Sequence, residues 1–224
     1  MKKKYKEFHI QYVYELFCDV MSKYIKKKSV ISELFDDVVK RYSVRSRHYH
    51  NMHHIFGVVS MWKEHKHLLK NPDEIFIAAI YHDVVYNAKR RDNEEKSAIF
   101  FTKKVLPLLK VSTEFGAYIY LAISATAHGE DFDNILKEDK DICYLLDFDL
   151  ETLGTRHEDT YNWYKNGVRK EYKMYSDEQY NQGRKAVLES FLKRKKIYLT
   201  KEFKKIEKRA RKNLQNEINS YICH

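Results

Sequence analysis

Glycine and proline are scarce, at six and two in 224 residues. Few turns are therefore marked, and no low-complexity linker divides the chain. With 33% charged residues and no alternating strand pattern, this poverty of punctuation indicates an all-α fold. Cysteine is also rare. Cys18, Cys143 and Cys223 are far apart and odd in number, which excludes a disulfide framework and fits a reducing, cytoplasmic setting. No pair of cysteines has the spacing of a zinc ribbon or redox motif. No apolar run approaches the roughly 20 residues that span a bilayer, so no membrane partner is expected. The basic opening, MKKKYKEFHI, is followed by no apolar stretch, so no secretory leader is expected either. Acidic residues are in deficit, 32 against 42 basic ones, for a net charge of +10. Much of the excess lies near the ends, notably at 193–212. It fits a solvated helix surface or attraction to phosphate-bearing ligands, and charge alone does not choose.

The length suits one domain spanning 1–224. Apolar spacing predicts two helices over 8–41 and a third over 48–70. Asn71 and Pro72 have the signature of a helix start, cap then first turn. Asp92 with Glu95 reads as a capping box opening a helix to about Leu109. Further helices are expected over 113–127, 134–151 and 155–173. Ser176 with Gln179 is a second capping box, for 177–195, and Thr200 is read as opening the last helix, to about Tyr221.

The helix begun at Pro72 is apolar through Tyr81 and then carries His82 and Asp83. A buried carboxylate needs hydrogen-bonding partners or a cation. If the helix continues, His82 shares a face with Ile75, Ala78 and Ala79. A histidine paired with a carboxylate in the core would satisfy this pattern. Other segments add to it. RHYHNMHHI (47–55) places His50 and His54 one turn apart, a spacing that can hold one metal, or a metal and a phosphate. LLDFDLETLG (145–154) sets Asp149 on a stripe with Ile142, Leu145, Leu146 and Leu153. Asp147 is the alternative if that register is half a turn off. Imidazoles with carboxylates suit Mn, Fe, Co, Ni, Zn or Mg.

The order His54, then His82-Asp83, then Asp149 resembles the HD-domain metal-dependent phosphohydrolases. So do the wider strings: RxYHNxxHI (47–55), HDxVY (82–86), DNExxSA (92–98), DxDLxxLG (147–154), VRKEY (168–172), GR (183–184) and ARxNL (210–214). They are similar to one subfamily of predicted phosphohydrolases. The resemblance implies a helical HD core over about 40–155, with added N-terminal helices and a C-terminal extension over about 155–222. It implies a divalent ion, one or two, held by His54, His82, Asp83 and Asp149, and hydrolysis of a phosphate ester or anhydride of a nucleotide or similar small molecule. Several such enzymes carry a carboxylate three or four residues after the pair. Here those positions are Tyr86 and Asn87, so Asp83 and Glu94 are the catalytic candidates, with Asp92 and Glu95 tied to the capping box. Arg47, His50, His128, Arg169 and Arg184 are the candidates for holding the substrate's phosphates. Two other classes stay open. One is an HD scaffold that senses a ligand without turnover. The other is a basic nucleic-acid binder or nuclease, whose binding would weaken steeply with salt.

Overall fold

The computed structural model describes residues 2–129 and 139–221. It is 72% helical, with no strand among the described residues, so the all-α expectation holds. There are ten α-helices among the described residues: α1 (Lys2–Met21), α2 (Lys28–Tyr42), α3 (Met52–His65), α4 (Pro72–Tyr81), α5 (Asn93–Phe100), α6 (Thr113–Ala125), α7 (Lys140–Leu150), α8 (Glu158–Glu171), α9 (Asp177–Lys193) and α10 (Glu207–Asn219). None is long and apolar enough to cross a membrane.

The core is built around α4, whose residues from Ile75 to Tyr81 are all buried. A helix that is apolar all round must be covered on every side. Here α3, α6 and α7 surround it. The N-terminal helices join the same core: Val13, Phe17 and Met21 of α1 and Val38 and Tyr42 of α2 are fully buried. Trp62 of α3 donates its indole N–H to the Pro72 carbonyl (2.8 Å), pinning the start of α4.

Local chemistry departs from the sequence reading at several helix ends. Pro72 is in the first turn as expected, but Asn71 makes no side-chain cap; its N–H instead bonds the Asp141 carboxylate (2.6 Å). Asp92 makes no cap either, because its carboxylate is taken by the Arg90 guanidinium next to it. The Ser176–Gln179 capping box is present. The 92–109 segment passes through a π turn at Phe101–Val105 and a 3-10 turn at Leu106–Leu108. Pro107 lacks the N–H that would continue the α-helix. The expected start of the 134–151 helix lies outside the described residues. The last helix begins at Glu207, after a 3-10 turn at Lys204–Ile206, and not at Thr200. Thr200 is held elsewhere: its N–H and hydroxyl both bond Asp147.

Candidate metal centre

The site is built where α4 stops. Tyr81 is its last residue and His82, still in helical φ and ψ, is the cap, so the His-Asp pair stands where the helix gives way to a turn. The helix stops at the pair and does not run through it. Helix ends leave carbonyls and N–H groups unpaired, and three side chains take them up here. The Tyr42 hydroxyl donates to the Ile80 carbonyl (3.0 Å) and accepts the Asp83 N–H (3.2 Å). Arg47 spans the turn with its guanidinium, donating to the carbonyls of Asp83 (2.6 Å) and Val84 (3.1 Å). His82 Nδ1 lies 2.9 Å from the Ala79 carbonyl. A carbonyl can only accept, so Nδ1 carries the proton and the Nε2 lone pair is aimed the other way.

That lone pair meets three others. His82 Nε2 is 3.3 Å from His54 Nε2, 3.3 Å from Asp83 Oδ2 and 3.5 Å from Asp149 Oδ1. His54 Nε2 is 3.1 Å from Asp149 Oδ1 and 3.9 Å from Asp83 Oδ2. His54 comes from α3, and Asp149 from the last turn of α7. His54, His82 and Asp83 are buried. Bonds of about 2.1 Å put neighbouring ligand atoms about 3.0 Å apart in an octahedral shell and about 3.4 Å apart in a tetrahedral one. The 3.1–3.5 Å spacings among His54, His82 and Asp149 fit either shell, whereas Asp83, 3.3 Å from His82 and 3.9 Å from His54, stands at the edge of that group. His54, His82 and Asp149 form a group that can hold a metal ion.

The electrostatics point the same way. Burial alone would raise the carboxyl of Asp83, but His82, His50 and His54 hold it well below the ordinary range. Burial opposes ionisation of Asp149 too, yet the neighbouring imidazoles of His128, His54 and His82 hold its carboxyl well down. Burial would lower His82, but Asp83 and Asp149 draw its imidazole well above its ordinary value. The same field that favours a proton on His82 favours a cation beside it.

The choice between the two aspartates of the third motif is settled by geometry. Asp147 faces away and accepts the N–H groups of Leu199 and Thr200 (2.8 Å each) and the Thr200 hydroxyl (2.6 Å). Burial raises its carboxyl to about 6. Asp149 faces the histidines. Its other oxygen, Oδ2, is held by His128 Nε2 at 2.9 Å. His128 sits just past α6 with φ 53°, the left-handed region, which non-glycine residues adopt at a cost of order 1–3 kcal/mol. In that conformation Nε2 of the imidazole binds Asp149, while the residue also lines the cavity beside the cluster.

A cavity of about 430 Å³ opens from the cluster, lined by His82, Asp83, Asp149, Glu94, His128 and Arg194 among others. Burial raises the carboxyl of Glu94, and the charge of Asp83 adds to this. His50 also lines the cavity, though not from α3: it precedes the Asn51 cap, so the one-turn spacing to His54 is not helical. Its Nδ1 is bound to Glu171 Oε2 at 2.7 Å. Glu171, absent from the sequence-based site, also accepts the N–H groups of His48, Tyr49 and His50 and the Tyr86 hydroxyl. Only its place in the string VRKEY marked it.

The other expected phosphate ligands have partners within the protein, and Arg184 also lines a neighbouring cavity of about 600 Å³. Arg47 holds the turn. Arg169 bonds Asp177 and the carbonyls of Tyr172 and Tyr175, closing the end of α8. Arg184 makes a buried ion pair with Glu217 (2.9 Å) and bonds the Tyr164 hydroxyl. Arg194 is a cation on the cavity wall that sequence reasoning passed over, since it lay unmarked within a lysine-rich run. Asn93 and Ser97, of the string DNExxSA, bond the backbone at Asn87 and Val85 and so brace the segment after the His-Asp turn. No protein-family model matches the chain, and no curated protein or solved structure is detectably similar to it.

Proposed function

We propose that the chain is a metal-dependent phosphohydrolase that cleaves a small phosphate ester or anhydride, with a divalent cation held by His54, His82, Asp83 and Asp149. The observation that carries this reading is the convergence of four lone-pair atoms, 3.1–3.9 Å apart in the pairs above, at the floor of an open cavity. A buried structural pair would share a proton between one donor and one acceptor. A bound divalent cation supplies Lewis-acid polarisation of a phosphoryl oxygen and a more acidic water. The protein's own groups divide the remaining work. Asp83, held ionised, is a good ligand and a poor base. Glu94 lines the same cavity with a raised carboxyl, closer to the operating pH, and is the better proton acceptor for the attacking water. As the water oxygen bonds to phosphorus its proton passes to Glu94, and as the ester P–O bond breaks the leaving oxygen takes a proton back from Glu94 or from solvent and departs as the alcohol. Arg194 and His50 face the cavity and balance the phosphoryl charge. The resemblance to HD-domain phosphohydrolases supports the same reading. The test is metal analysis of the purified protein, with a phosphate-ester panel assayed in Mn, Co, Ni and Mg. Metal bound and turnover lost in Asp83→Ala is expected. Undiminished turnover in that variant overturns the reading.

A further inference from the structure

A groove of about 460 Å³ lies between α8 and α10 and shares no lining residue with the cluster cavity. One wall is a stripe of α8 from Glu158 to Lys165, and the other is a stripe of α10 from Arg209 to Asn216. Both keep the three-and-four spacing that sets side chains on one helix face. The walls are fixed by the protein itself. Asn213 donates its amide to the carbonyls of Leu153 (2.9 Å) and Thr155 (3.0 Å), tying α10 to the turn that leads into α8. Farther along, the Tyr161 hydroxyl bonds Glu217 (2.7 Å).

Four permanent cations line the groove: Arg156, Lys165, Arg209 and Lys212. The ion pairs nearby belong to other residues, Arg184 with Glu217 (2.9 Å) and Arg211 with Glu207 (2.7 Å). Of the two carboxylates in the lining, Glu217 is thus already balanced, by Arg184 and by the hydroxyls of Tyr161 and Tyr221. Glu158 alone is left to face the four. Lysine and arginine ordinarily cover a solvated face. These four instead surround a hollow within the roughly 300–1,000 Å³ range of small-molecule sites.

Arg209 adds an independent observation. Its Nε is buried and has no hydrogen-bond partner among the described residues. Glu151 senses its charge without pairing with it. It also stands in the first turn of α10, where the helix dipole disfavours a cation. Buried donors are nearly always satisfied in folded proteins, and an exception needs a reason. An anion in the groove accounts for the idle donor and the unpaired charges together.

We infer that this groove is a second ligand site, separate from the cluster, for a small anion of clustered phosphates. Guanidinium forks suit phosphate oxygens, and Lys165 and Lys212 add point charge. The stripe from Arg209 to Asn216 is about 10 Å long, which suits a chain of two or three phosphates and not an extended strand. No residue of the cluster takes part, so the groove stands or falls apart from the proposed function. Its test is calorimetric titration of orthophosphate, pyrophosphate and tripolyphosphate into the whole, metal-stripped protein at low salt. Tripolyphosphate should bind about tenfold or more tighter than orthophosphate. Arg209→Gln with Lys212→Gln should weaken tripolyphosphate by about tenfold or more, the worth of one charge-assisted contact. Arg156→Gln, in an exposed turn, should weaken it by less. Asp149→Ala should leave it unchanged. The unliganded double variant should melt no lower than the wild type, since it sheds repelling charges. A clear fall in its Tm would make these cations structural and overturn the inference. Undiminished tripolyphosphate binding in the folded double variant and in Arg156→Gln overturns it too, as does binding lost in Asp149→Ala. A ten-nucleotide uridine strand that binds tighter than tripolyphosphate, through the same two residues, would make the groove part of a nucleic-acid surface and overturn the small-anion assignment.

Discussion

Two carboxylates, the buried Glu171 and the half-buried Asp149, live in opposite surroundings. Glu171 is saturated with donors: three backbone N–H groups, an imidazole and a phenol converge on its two oxygens. Asp149 has one oxygen served by His128, while the other confronts two imidazole nitrogens, with a second carboxylate beyond them. The first arrangement is complete without any ligand. The second has more lone pairs than protons to fill them. A saturated polar group holds the fold together, and an under-donated one asks for a cation.

The contrast can be broken most forcefully at Asp149. Asp149→Ala should remove bound metal and cut phosphate-ester turnover by about a thousandfold or more, roughly 4 kcal/mol of barrier, with Tm unchanged or raised. A variant that keeps a full complement of metal would count against the cluster as a ligand set. Glu171→Ala should do the reverse. Stripping an acceptor from buried donors should cost about 3–5 kcal/mol of stability, read by urea melts, and a fall below 1 kcal/mol would show that the nest is not structural. Glu94→Gln should lower turnover by about a hundredfold and leave metal content intact; loss of metal would instead make Glu94 a ligand. Adding Mn to metal-stripped protein should stabilise it by about 2.7 kcal/mol at a hundred times its Kd, and the gain should vanish in Asp149→Ala. The smallest effect concerns acid. Burial opposes ionisation of Glu171 and Glu217, but His50 and Arg184 respectively hold both carboxyls below the ordinary 4.5. Folded values below the unfolded ones mean stability that is full above about pH 4.5 and lost as pH falls through the folded values. The Tm deficit of Glu217→Gln should therefore shrink between pH 6 and pH 3, and a constant deficit would refute the assignment.

The histidines and aspartates of the cluster were legible in the sequence because each is a polar residue set into an apolar run: His82 and Asp83 after the buried run from Ile75 to Tyr81, and Asp149 beside leucines. The helices were legible for the same reason, from apolar spacing. The stop after Tyr81 was not, since the turn that follows is held by tertiary contacts from Tyr42 and Arg47 and no local breaker marks the spot. Nor could spacing tell a guanidinium that binds a ligand from one that binds carbonyls. Arg47, Arg169 and Arg184 all bond groups of the protein itself, and so does Arg194, which donates to the His128 carbonyl from the cavity wall although its run reads as mere solvated charge. Asp147 and Asp149 show the limit at its finest. Two residues apart on one helix, they are distinguished only by what the distant segment 199–200 brings to the first.

The contact that steadies Asp149 has a long tail. His128 holds that carboxylate, its own carbonyl receives Arg194, and the Arg194 carbonyl in turn receives Arg211 of α10 (2.8 Å). Orientation at the heart of the molecule is thus inherited from its last helix. Clipping or fraying the carboxyl-terminal fifth of the chain should be felt as looser ion retention far from the cut, before any of the core comes apart.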